Sequence, residues 1–153
     1  MYFIEDISSN SIFNVKVDRT YIDPLLYYDD EKYYKLMSAS GMKIDIPFQL
    51  TTSLSGNIKV LDDVSEEKLP YIYNRVQLIL KKDGVELKRF RPEFDGYYIV
   101  DGLVDGEYQL ELTTTNEDYY LEKESEIVII RAEDNSNGVF ELDEITLIKR
   151  ESE

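Results

Sequence analysis

Residues 133–144, EDNSNGVFELDE, hold the densest set of side chains that could bind a ligand. Oxygen donors fall at loop positions 1, 3, 5, 9 and 12, with Gly138 at position 6 and Phe140 at position 8. A calcium loop needs that order, because a tight glycine turn wraps the donors round the ion and a terminal glutamate closes the shell with both oxygens. The expected metal ligands are Glu133, Asn135, Asn137 and Glu144. Two features depart from the scheme: Glu133 is longer than the aspartate that usually opens such a loop, and the flanks EIVIIRA and ITLIKRE read as strands. The competing expectation is a β-hairpin that turns at Asn135, Ser136, Asn137 and Gly138. A second set is aromatic. Thirteen tyrosines include the adjacent pairs 27/28, 33/34, 97/98 and 119/120. Rigid amphipathic rings can form a stacking platform for a sugar or a protein partner. In a strand one member of each pair turns inward, so half are core, and Tyr27, Tyr28, Tyr33 and Tyr34 are the candidates for an interaction surface. The many acids include no pair whose surroundings separate a raised carboxyl pKa from an ordinary one. Asp29-Asp30-Glu31 and Glu66-Glu67 read as solvated faces, and no catalytic residue is assigned.

Composition narrows the chemistry further. The 153 residues carry 17 basic and 32 acidic side chains, a net charge of −15, and neither Cys, His nor Trp. Disulfides, zinc sites built on Cys or His, Cys/His nucleophilic pairs and Ser-His-Asp triads are all excluded. A field this negative repels phosphate backbones, so a nucleic-acid partner is not expected. Hydrophobic residues make up 42% of the chain, enough to build a core, and the patterned apolar runs set it apart from disordered chains. No run approaches the roughly 18 to 20 apolar residues of a membrane helix, and MYFIEDISSN lacks the basic start and apolar core of a signal peptide. The expectation is a cytoplasmic protein, or a mature chain or excised piece of an exported one.

These residues must be positioned by strands. Val76, Leu78 and Leu80 alternate with Gln77 and Ile79, and Tyr108, Leu110 and Leu112 alternate with Gln109 and Glu111, which is the period of a half-buried strand. Lys82-Asp83-Gly84, Asp95-Gly96, Asp101-Gly102 and Asp105-Gly106 punctuate the region as tight turns. Strands are expected over 54–61, 75–82, 85–91, 95–100, 106–113, 119–130 and 137–148. Short helical turns are expected at 29–38 and 63–69. Residues 12–17 and 43–48 are further strand candidates, with Pro47 marking an edge or an end. The small polar stretch TTSLSG places a domain boundary near Thr51 to Ser55. The expected organisation is a small β segment or partial module over 1–53 and a sandwich over 54–150.

The stretch 76–112, VQLILKKDGVELKRFRPEFDGYYIVDGLVDGEYQLEL, resembles the carboxypeptidase-regulatory-like or prealbumin-like β-sandwich modules of exported bacterial proteins. Gly96, Tyr98, Val100, Gly102, Leu103, Gly106, Tyr108, Leu110 and Leu112 fall on that pattern. The resemblance implies an all-β, immunoglobulin-like or prealbumin-like antiparallel sandwich. Gly96 and Gly106 would permit turns, Leu103 would plug one end, and Tyr98 and Tyr108 would point inward from neighbouring strands. Upstream, Val15, Val17, Asp18, Ile22, Pro24, Ile44, Ile46 and Pro47 resemble the region that precedes such a module in outer-membrane usher-type proteins. Collagen-adhesin B-type modules share this topology and carry a Lys–Asn or Lys–Asp isopeptide bond. Lys81 or Lys82 would be the lysine, but 111–116, ELTTTN, replaces the family's motif and offers no matching acid.

The resemblance implies a non-enzyme without a cofactor: an interaction or structural module of a bacterial cell-envelope or surface-assembly protein, of usher or adhesin type. Its partner would be a protein, with no membrane insertion by this chain and a location in the envelope or outside the cell. The alternatives are a carbohydrate- or calcium-dependent binding module, or an accessory domain of a larger enzyme.

Overall fold

A computed structural model describes residues 12–18, 20, 22, 26–28, 31–35 and 44–151. The chain divides into two compact units, with the division between Leu50 and Thr51.

The first unit contains β1 (Ile12–Lys16), β2 (Leu26–Tyr27), β3 (Glu31–Lys35) and β4 (Gln49–Leu50). β1 pairs antiparallel with β3, and β2 with β4. Residues 31–35 are therefore a strand and not the expected helical turn. A helix this short does not stand alone in water, whereas β1 supplies a partner for a stretch that holds Tyr33 and Tyr34. Pro24 lies outside the described residues.

The second unit contains β5 (Thr52–Val60), α1 (Leu69–Tyr73), β6 (Val76–Lys82), β7 (Val85–Phe90), β8 (Tyr97–Leu103), β9 (Gly106–Thr114), β10 (Tyr119–Leu121), β11 (Ser125–Ile130), β12 (Val139–Glu141) and β13 (Ile145–Lys149). It is a two-sheet sandwich of the prealbumin-like, immunoglobulin-like kind. One sheet has the order β11-β9-β6-β7 and is antiparallel throughout. In the other, β5 is central: β8 pairs antiparallel along one side, β12 and then β13 pair parallel along the other, and β10 closes on β13.

Alternation decides which side chains fill the space between the sheets. Val76, Leu78 and Leu80 face Leu54, Ile58 and Leu147 across the core, and Leu110, Leu112, Val128 and Ile130 extend it; all are buried. The β6–β7 hairpin turns at Asp83 and Gly84, both with positive φ (52° and 75°), the signature of a type I′ turn. A register shift between Thr52 and Leu54 breaks strict alternation against β8, and Val100 and Leu103 both end up inside. The helix begins at Leu69, later than expected, because Pro70 sits in its first turn, where its fixed φ suits a helix start and its missing N–H costs nothing.

Three sequence expectations change here. Thr51, Thr52, Ser53 and Ser55 are buried, so TTSLSG is no exposed linker but mostly the start of the central strand. Residues 119–130 form two strands in different sheets, as β10 and β11. The flanks of 133–144 likewise separate, since β11 pairs with β9 and β13 with β5. That loop is a crossover between sheets and not a hairpin; periodicity reports burial but not which sheet a strand joins.

Candidate functional site

Burial sorts the tyrosines first. Tyr28 is 4% exposed and packs against Phe48 with ring centroids 4.9 Å apart, so it leaves the set of surface candidates. Tyr27 and Tyr33 are exposed, and Tyr34 is half-buried with the Lys32 ammonium 6.0 Å from its ring centre. Gly96 takes φ 89°, and a Cβ there would overlap the Ile58 carbonyl oxygen and press on the Tyr73 ring, so only glycine fits. Leu103 is in the core, and Gly106 opens β9.

Tyr98 and Tyr108 both point inward, but from opposite sheets and not from neighbouring strands, because the chain crosses between sheets at 104–105. The Tyr108 hydroxyl donates to the Val104 carbonyl at 2.7 Å. The Tyr98 ring crosses β5 where Gly56 has no side chain; a Cβ there would overlap its hydroxyl. That buried hydroxyl has no hydrogen-bond partner. Burial, and then the charge of Glu126, push its pKa up to about 12.

The proposed calcium loop is a 3-10 turn at Ala132–Asp134, followed by a glycine turn. Asn135 donates from Nδ2 to the Arg131 carbonyl (2.9 Å), and Asn137 accepts from the Val139 N–H (3.2 Å). Glu133 is exposed, while Glu144 lines a pocket of about 330 Å³ with Glu122, Lys123, Glu126, Asp143 and Ile145. Among the described residues no group of three or more acidic side chains is placed to hold a metal ion. Lys81 is ion-paired to Glu111 at 2.9 Å, and the Lys82 ammonium lies 5.1 Å from the Tyr108 ring centre, so each has a noncovalent partner in its own sheet.

Two surface features were not foreseen. A groove of about 630 Å³ runs beside the end of β9, lined by Thr113, Thr114, Asn116, Tyr119, Tyr120 and Arg150 among others, with the Arg150 guanidinium 5.7 Å from the Tyr120 ring centre. On β11, Ile127 and Ile129 stand 56% and 53% exposed. The run EIVII reads from sequence as part of a strand over 119–130 and as a flank of the 133–144 turn, and its position at a sheet edge depends on long-range pairing. No helix among the described residues is long and apolar enough to cross a membrane.

No protein-family model matches the chain, and no curated protein matches it. Solved structures do. The minor pilin of the Gram-positive pathogen Streptococcus agalactiae is similar at 15% identity and a TM-score of 0.50, over 87% of this chain and 64% of the pilin. This chain thus spans less than two thirds of that protein, and the likeness is one of fold. The major pilin subunit of Bacillus cereus is similar at 19% identity and a TM-score of 0.45, over 78% of this chain and 34% of the pilin. A type II cohesin–X-dockerin complex from Acetivibrio cellulolyticus is similar at 16% identity and a TM-score of 0.42, over 63% of this chain and 56% of the other.

Proposed function

We propose that the chain is a non-catalytic structural and interaction module of a bacterial surface assembly, pilin-like or adhesin-like, that bears tension along its sandwich. The observation that carries this reading is the parallel pairing of the sandwich's first and last strands. Ile58 is paired with Ile145 and Val60 with Leu147, and Leu61 donates its N–H to the Leu147 carbonyl at 3.0 Å. The chain enters β5 at one end of the sandwich and leaves β13 at the other. A pull on both ends then loads the β5–β13 hydrogen bonds in shear, all at once, where a hairpin would open them one at a time. The minor-pilin likeness supports a surface setting, and an usher-type setting is the variant of the same reading that the upstream residues suggest.

Single-molecule pulling tests it. With handles at residues 51 and 151 the sandwich should unfold at a force several-fold higher than with handles at residues 83 and 151, because forced unfolding is governed by the barrier along the pulled direction. Equal, low forces in both geometries would contradict the reading. A second reading, a carbohydrate-binding module, draws on the groove beside Tyr119, Tyr120 and Arg150, where a ring and polar side chains converge. It predicts saturable glycan binding that Tyr120→Ala abolishes.

A further inference from the structure

We propose that the open edge of β11 accepts an extended segment of a partner protein in which apolar side chains alternate with polar ones, one of them a lysine or arginine. This rests on the reading of the chain as an interaction module and names the surface and the partner chemistry. The edge strands differ in how they are protected. A free edge presents unpaired N–H and C=O groups, and proteins blunt it with short strands, charges, bulges or proline. β10 and β12 are three residues long. β7 carries Glu86, Lys88 and Arg89, is bulged against β6 and runs into Pro92. β8 ends in Asp101, Gly102 and Leu103. Among the described edge strands of the sandwich, β11 is the one that combines six residues, four of them consecutive, apolar and β-branched (Ile127, Val128, Ile129 and Ile130), with no Pro, Gly or bulge. Its one charge, Glu126, is paired with Lys123 at 3.1 Å.

The register says which groups are offered. Leu112 donates its N–H to the Glu124 carbonyl at 2.8 Å, so by antiparallel alternation Glu126, Val128 and Ile130 bond to β9, while the backbone of Ser125, Ile127 and Ile129 points to the open edge. An added strand would pair there. Its side chains on the outer face would cover Ile127 and Ile129, more than half exposed on that face. Those on the other face would enter the seam between the sheets. β10 pairs with β13 as far as Leu147, with one further bond from the Glu122 N–H to the Thr146 carbonyl at 2.9 Å, and past that end lies a pocket lined by Glu122, Lys123, Glu126, Asp143, Glu144 and Ile145. With Glu126 already paired to Lys123, Glu122, Asp143 and Glu144 leave the lining net negative, which favours a basic side chain, in keeping with the net charge of −15.

The test uses the full chain and a synthetic capped hexapeptide, Thr-Lys-Val-Thr-Val-Thr, with a Lys-to-Glu peptide as control. The lysine peptide should bind saturably and slow amide exchange at Ile127 and Ile129 by about tenfold or more. The control peptide, the Ile129→Lys variant and the Asp143→Asn, Glu144→Gln double variant should each weaken binding by about tenfold, or roughly 1.4 kcal/mol. Near-ultraviolet tyrosine dichroism shows that each variant is folded. The proposal is overturned if the lysine peptide does not bind at millimolar concentration, if the two peptides bind alike, or if protection falls elsewhere. It is also overturned if Ile127 and Ile129 become protected with rising protein concentration alone, since the occupant is then a second copy of this chain. A strong sandwich with no peptide binding sinks the docking site and leaves the tension-bearing module; a weak sandwich that binds peptide does the reverse.

Discussion

Tyr98 on β8 and Tyr108 on β9 are almost wholly buried, ten residues apart, and turned inward by the same alternation, yet their hydroxyls end differently. Tyr108 reaches a carbonyl four residues back and lies under the Lys82 ammonium. Tyr98 reaches across its own sheet to Gly56 and meets no acceptor. A pattern in the chain thus decides which way a ring faces, while the strand beneath it decides what the polar end meets. The β8 side spends hydrogen-bonding capacity on close packing, and the β9 side satisfies both demands locally.

The largest effect comes from breaking the Tyr98 contact. Gly56→Ala should cost roughly 2–4 kcal/mol in urea unfolding, because the new methyl overlaps a ring that a dense core cannot move. A Tyr98→Leu background should recover part of that loss, as a double-mutant cycle would record. Next comes alkaline pH. The unfolded tyrosine pKa is about 10, and burial raises the folded values of Tyr98, to about 12, and of Tyr108 and Tyr73. Folded pKa values above the unfolded one mean stability that is complete below pH 10 and falls as pH rises toward 12. Tyr98 alone should account for on the order of 2 kcal/mol, and Tyr98→Phe should flatten the decline in a pH-dependent melt. Smaller still, Tyr108→Phe should cost about 1 kcal/mol by losing a satisfied hydrogen bond. Tyr98→Phe at neutral pH should fall within about 0.5 kcal/mol of wild type, or stabilise, since it removes an orphaned polar group. Equal costs for the two Tyr→Phe changes would erase the contrast.

Strand positions from β5 to β9 were legible in the sequence because Val76, Leu78, Leu80, Tyr108, Leu110 and Leu112 advertise period two and Asp-Gly pairs mark the turns. Sheet membership was not. Nothing local in residues 119–130 or 133–144 says that the chain changes sheets, because parallel pairing of β12 and β13 with β5 joins residues more than eighty positions apart. TTSLSG misled for a related reason: small polar residues resemble a linker, but in a central strand they allow close packing, and Ser53 donates from Oγ to Asp101 at 2.6 Å. The candidate docking edge was hidden in the same way. Ile127 and Ile129 look like core, but alternation against Val128 and Ile130 puts them on the outer face, and no further strand among the described residues pairs beyond β11.

Parallel pairing of β5 with β13 is what carries the load under tension. The chain has no native cysteine, so a Lys59→Cys, Thr146→Cys pair, placed at residues that face each other across these strands, can be oxidised without competition. The oxidised protein, pulled from residues 51 and 151, should lose the sandwich unfolding event, and reduction should restore it at high force. Failure of the pair to close, or reduction that reveals only a low-force event, would contradict the account.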